Sequence, residues 1–245
     1  MKLRFRFLGL VLPLAAFQVG FASPFVNSPA EIALSIGALG AAAALEQWPP
    51  NSSHPLIGGE QKPYISRERV PDWALAVTHI ATFCTIRFSQ SADRVRYAHG
   101  YDMAVALTQL ATSATKGVVG RKRPNEDDAR LLGESTKSRS FFSGHASTTF
   151  CLATYTTLFT RRTTDRLLYR TGVPLVTFSA ATYAAWSRVA EHRHYPSDVI
   201  VGAAAGTAIG ALVFRWYDGM EPRENSSAGI TILPMPRGAS LAIFF

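Results

Sequence analysis

What most constrains this chain is a series of apolar, alanine-rich runs that never alternate with a period of two. The runs at 32–45, 73–86, 103–115, 145–160, 172–187 and 199–214 are each long enough for three to five helical turns. A half-buried strand needs strict apolar–polar alternation, and none of the runs has it. The pattern predicts an all-α fold, a compact bundle of about six core helices. Most runs hold about 13 to 17 uncharged residues against the roughly 20 that cross a bilayer, so they read first as buried core helices. The last three are the most membrane-like, which keeps membrane association open.

Hydrophobic residues make up 47% of the chain and charged residues 17%, which excludes a disordered protein. Two cysteines exclude a disulfide scaffold and a Cys-rich zinc module. Cys84 and Cys151 each lie in an apolar run and read as small core residues rather than as a bridge. Twenty-five Lys and Arg against 17 Asp and Glu give a net charge of +8, which points to an anionic partner. The basic residues do not cluster with aromatics on one face, so no nucleic acid is expected.

Residues 1–22 combine a basic start (Lys2, Arg4, Arg6), an apolar stretch from Phe7 to Phe17 and small residues at Gly20 and Ala22. That is a secretory signal pattern, and it predicts a bacterial periplasmic or envelope protein. Residues 23–70 read as a helix followed by an irregular arm, since five prolines fall between 47 and 71. Residues 71–215 are the helical core. The tail, 216–245, has β-like composition at 229–234 and 239–245 and suits a small hairpin. Inside the core, 121–140 carries ten charged residues and reads as a long access-shaping loop.

Three clusters carry chemistry. The first runs from Lys116 to Arg121-Lys122-Arg123-Pro124, the second is Ser143-Gly144-His145, and the third joins Ser187-Arg188 to His194 and Asp198. Lys116, Arg123 and Arg188 lie at the ends of apolar helices, where guanidinium forks and an ammonium suit phosphate oxygens. Taken singly, each reads as solvated surface. Pro124 disfavours the α conformation at Arg123, so the helix is expected to stop there. Ser143 suits an N-cap, Gly144 allows close backbone approach, and the helix start that follows favours an anion, with His145 in its first turn.

Pro196 suits the first turn of the last helix, which puts His194 and Asp198 close across its start. A carboxylate on one imidazole nitrogen fixes the tautomer and leaves the other free to attack. Asp198 as a simple helix-start stabiliser, with His194 at the surface, is the equal alternative. There is no H-E-x-x-H and no spaced Cys/His set, and a cluster of arginines repels a cation, so neither metal nor cofactor is expected.

Together these clusters resemble the type 2 phosphatidic acid phosphatase superfamily, which includes bacterial class A acid phosphatases and vanadium haloperoxidases. Its pattern is K-x6-R-P, then P-S-G-H, then S-R-x5-H-x3-D. Lys116 to Arg123-Pro124 matches in full, as does Ser187-Arg188 through His194 to Asp198; Phe142 stands where the middle motif usually has proline. The resemblance covers roughly residues 71–215 and implies a helical haloperoxidase-like bundle. It implies that Lys116, Arg123, Ser143, Gly144 and Arg188 bind phosphate. His194 would attack phosphorus to give a phosphohistidine, Asp198 would orient it, and His145 would protonate the leaving oxygen and later activate water. The implied activity is metal-independent hydrolysis of a phosphate ester, on a phosphorylated lipid, an isoprenyl pyrophosphate or a soluble monoester. A neutral His194 beside a protonated His145 predicts a bell-shaped pH profile. The same scaffold also serves vanadate-dependent haloperoxidases, or a non-catalytic envelope protein; the intact residue set argues against the latter.

Overall fold

The computed structural model describes residues 29–48, 56–133, 139–219, 229–235 and 238–244. The export signal expected over 1–22 lies outside the described residues, as does Phe245. Seven helices stand among them: α1 (Pro29–Gln47), α2 (Asp72–Arg87), α3 (Arg94–Val119), α4 (Glu126–Leu131), α5 (Gly144–Thr163), α6 (Leu167–Ala190) and α7 (Pro196–Asp218). Six are long and correspond to the six apolar runs; α4 is a short helix inside the stretch read as a loop. Two strands, β1 (Gly229–Met235) and β2 (Gly238–Phe244), pair antiparallel in the tail, Gly229 opposite Phe244 and Met235 opposite Gly238.

The helices run past their apolar runs for identifiable reasons. α3 starts nine residues before its run because Tyr97, Ala98 and Tyr101 are buried, and because Asp102, which interrupts the run, is buried beside His79 at 3.4 Å. α6 starts five residues early; Arg170 sits on an exposed turn, where its charge is no obstacle to a helix. The end of α3 falls earlier than Pro124 suggested. Gly120 adopts φ 61°, and its N–H bonds back to the Lys116 carbonyl, a left-handed C-cap that stops the helix at Val119.

α5 lies between α6 and α7 and also packs on α3; α1 covers α3, and α2 packs on α3 and α5. The contact between α5 and α7 rests on a stripe of small residues. Gly202, Gly206 and Gly210 face Ser143, Ser147 and Cys151 respectively, and a Cβ at Gly206 would sit 1.9 Å from the Ser147 carbonyl oxygen. The opposite end of the bundle is filled by Tyr97, Tyr101, Tyr155, Phe159, Phe214 and Tyr217. Tyr97 stacks on Phe214 at 5.5 Å, and the Tyr155 hydroxyl donates to the Tyr97 carbonyl at 2.8 Å. Cys151 is buried in this core and both cysteines are free thiols, as expected.

Large apolar side chains also face outward. Leu167, Leu168, Leu175, Val176 and Trp186 on α6, with Ile200, Leu212 and Trp216 on α7, are exposed. Among the described residues, α7 is long and apolar enough to cross a membrane.

Candidate active site

Four helix ends meet at one end of the bundle. The last turns of α3 and α6 bring Lys116 and Arg188, and the first turns of α5 and α7 bring Gly144-His145 and Asp198. Free N–H groups and the positive dipole ends of α5 and α7 make this end receptive to an anion. Ser143 is the N-cap of α5, accepting from the Ala146 N–H, and its own N–H donates to the Asp198 carbonyl at 3.0 Å. That bond ties the second motif to the third. Gly144 faces the first: a Cβ there would lie 3.6 Å from Lys116 Nζ.

The cations and imidazoles converge. Arg188 NH1 lies 3.1 Å from His145 Nε2, which is also 3.1 Å from the Val70 carbonyl oxygen and 3.5 Å from Asp72 Oδ1. Arg123 follows Gly120 in an irregular segment, anchored by its N–H to Glu126 Oε2 at 3.2 Å, and its buried Nε has no hydrogen-bond partner. Burial holds its guanidinium below the usual range, with the charges of Arg193 and Arg188 adding to the effect.

His194 is buried in the turn between α6 and α7. Its Nδ1 faces Asp198 Oδ2 at 3.6 Å and Ser140 Oγ at 3.5 Å, which leaves Nε2 on the other side of the ring. Burial pushes its pKa down to about 4; Asp198 opposes that shift, and Arg123 and Lys116 reinforce it. His145 is held well below the usual histidine range by burial first, then by Arg188 and His194. Both rings are therefore neutral near pH 7.

The two readings of Asp198 turn out to be compatible. Its Oδ2 accepts the Tyr195 N–H at 3.0 Å, which stabilises the start of α7, and the same oxygen faces His194. Every sequence-predicted site residue thus reaches this one region.

Several neighbours carried no sequence signal. Glu46 on α1 lies 3.6 Å from Lys116 Nζ, and Glu68 in the arm lies 3.3 Å from Arg188 NH1. Glu191 also pairs with Arg188. These carboxylates offset the cations of the site; Glu191 lies inside the third motif, whereas nothing in the spacing of Glu46 and Glu68 marks them. Arg121, by contrast, sits within the first motif and Ser140 three residues before the second, and both contact Asp198.

The family model for the PAP2 superfamily matches residues 100–220. The chain is 30% identical over 139 residues to a PA-phosphatase related-family protein of Dictyostelium discoideum, a match covering 53% of this chain and 51% of that one. It is 32% identical over 113 residues to the lipid A 1-phosphatase of Porphyromonas gingivalis, covering 45% of this chain and 21% of the relative. The chain thus spans about half, or less, of the length of these relatives. Among solved structures it is similar to a transmembrane PAP2 type phosphatidylglycerolphosphate phosphatase from Bacillus subtilis, with TM-score 0.49 and 18% identity over 91% of this chain and 100% of the other. The family match takes in Lys116, Arg123, the turn before α5 and everything from Arg188 to the end of α7, and through it the chain belongs to the PAP2 superfamily.

Proposed function

We propose that this protein is a metal-independent phosphatase that hydrolyses a phosphorylated lipid, or an isoprenyl pyrophosphate, through a phosphohistidine intermediate. The observation that carries the reading is the meeting of Lys116, Arg123 and Arg188 with two buried imidazoles at the N-termini of α5 and α7. Three fixed cations and two helix starts supply the charge stabilisation that phosphoryl transfer demands, without a metal ion.

In this reading Lys116, Arg123 and Arg188 hold the phosphate oxygens, assisted by Ser143 and the Gly144 N–H. His194 attacks phosphorus through Nε2, forming the N–P bond as the ester P–O bond breaks. His145 gives its proton to the departing oxygen. Water then attacks the phosphohistidine, His145 takes the water's proton, and the N–P bond breaks to release phosphate and free His194. A neutral His194 is ready to attack. His145 must first gain a proton, and the negative charge of a bound phosphate favours that charged form. Asp198 orients His194 from the Nδ1 side.

A lipid substrate is favoured by the apolar outer face of α6, the helix whose buried face carries Arg188. An open groove on α6, lined by Leu175, Phe178, Ser179, Thr182, Tyr183 and Trp186, ends two residues from Arg188. The named activity of the bacterial relative, on lipid A, is of the same kind. The reading places the protein at the cell envelope, with residues 1–22 as its export signal.

The test is phosphate release by the purified chain in EDTA, from para-nitrophenyl phosphate, a short-chain phosphatidate and an isoprenyl pyrophosphate, beside His194→Ala. The expected result is EDTA-resistant turnover, fastest on one of the lipid substrates and abolished in the variant. No turnover on any substrate by folded protein, or an active H194A, rejects the reading.

A further inference from the structure

Residues 121–123 form an unbroken basic run, yet their side chains go three ways. Arg123 joins the phosphate-facing group, and exposed Lys122 pairs with Asp127 at 3.4 Å. Arg121 turns inward, 6% exposed, and its NH1 donates to Asp198 Oδ1 at 2.6 Å and to Ser197 Oγ at 2.9 Å. Its guanidinium carbon lies 3.8 Å from the centroid of the Tyr195 ring, so a cation–π contact holds the planar fork from one face.

The other carboxylate oxygen is held from a different segment. Ser140, fully buried, donates through Oγ to Asp198 Oδ2 at 2.5 Å and stands 3.5 Å from His194 Nδ1. The two holders also hold each other, because the Ser140 N–H donates to the Arg121 carbonyl at 2.9 Å. The ends of the charged 121–140 stretch are thereby fastened together directly beneath Asp198. Without these two partners the buried carboxylate would keep only the Tyr195 N–H and the His194 ring, too few contacts to hold its orientation against that ring.

The structure assigns Arg121 and Ser140 as a positioning pair that clamps the Asp198 carboxylate and through it the His194 ring, and it places Arg121 outside the phosphate-binding group. This rests on the reading of His194 as nucleophile. The clamp leaves Asp198 Oδ2 aimed at Nδ1, favouring the tautomer with hydrogen on Nδ1 and a free Nε2. Loss of either holder then impairs the attack and leaves anion binding intact.

The experiment uses the full chain in detergent with Arg121→Gln, Arg121→Lys, Ser140→Ala and, for comparison, Arg123→Ala. S140A removes one hydroxyl and keeps the ion pair, so it stands in if R121Q does not fold. The readouts are kcat and KM on para-nitrophenyl phosphate, the inhibition constant of orthovanadate, and the His194 tautomer from nitrogen chemical shifts of histidine-labelled protein. In R121Q and S140A, kcat is expected to fall on the order of 10- to 100-fold, as for a slightly misplaced reacting group. KM and vanadate inhibition stay near wild type, the His194 tautomers become mixed, and R121K recovers part of the loss. R123A instead weakens vanadate inhibition. The assignment is overturned if R121Q weakens vanadate inhibition as R123A does, or if kcat and tautomer are unchanged in both R121Q and S140A. A wild type that releases no phosphate would sink the parent reading alone, because the tautomer comparison judges the clamp without turnover.

Discussion

His194 shows how far a single environment can move a residue's chemistry. A solvated imidazole would be substantially protonated below pH 6.5, whereas this one, buried and facing Arg123 and Lys116, is moved to about 4. The consequence for stability has a definite sign. The unfolded chain takes up this proton as pH falls through about 6.5, and the folded chain does not until about 4. His194 therefore costs nothing above pH 6.5, and it destabilises the fold progressively between the two values, by on the order of 3 kcal/mol at the bottom of the window. The measurement is a histidine NMR titration of the empty chain, in which the His194 signal is expected to move near pH 4. Saturating orthovanadate should raise that midpoint, since an anion against the ring favours its charged form. A midpoint near 6.5 in the empty chain would mean that the ring is solvated and the site open.

At the scale of elements, what sets the distance between His145 and His194 is the approach of α5 to α7, the helices whose starts flank them. Gly202, Gly206 and Gly210 recur every four residues and so share one face of α7, where each meets α5 backbone. Gly206→Ala puts a methyl group 1.9 Å from the Ser147 carbonyl oxygen, which forces the helices apart. The expected cost is about 1–3 kcal/mol, typical of overpacking. A lowered melting midpoint and reduced turnover, against a harmless Gly172→Ala on an open face, would check it. A G206A protein with wild-type melting would show that the two helices have slack.

The same scale shows what sequence can and cannot reveal. The long helices were legible because their apolar runs persist for several turns, and the three motifs because their spacings are fixed along the chain. The N-cap role of Ser143 and the first-turn position of Pro196 followed from local backbone chemistry alone. The left-handed cap at Gly120 was masked by the louder signal of Pro124. The start of α3 was hidden because Asp102 looks like a break until His79, from another helix, is placed beside it. Glu46 and Glu68 lie 70 or more residues from the cations they meet, and only tertiary packing relates them.

For the whole molecule, the proposed lipid substrate raises the question of how its headgroup would reach a site at one end of a helical bundle. The exposed side chains of Leu175, Val176 and Trp186 run along α6 toward Arg188, and Ile200 to Trp216 line the outer side of α7. Arg69 covers the Trp186 ring at 4.7 Å, so the apolar strip ends in a cation at the level of the site. Such a strip in contact with acyl chains would let the headgroup reach the cations while the tails remain in the apolar layer. Leu175→Glu tests this, since a carboxylate on a lipid-facing helix centre costs about 2.5–3.5 kcal/mol and residue 175 touches none of the site groups. Wild-type protein is expected to float with phosphatidylglycerol vesicles. L175E should float less and lose activity on vesicle-borne phosphatidate, while its turnover of soluble para-nitrophenyl phosphate stays unchanged. Equal loss on both substrates would instead mean that the substitution damages the fold. Unchanged flotation and unchanged lipid turnover would mean that the outer face of α6 does not meet the membrane, and that the lipid arrives by another side of the bundle.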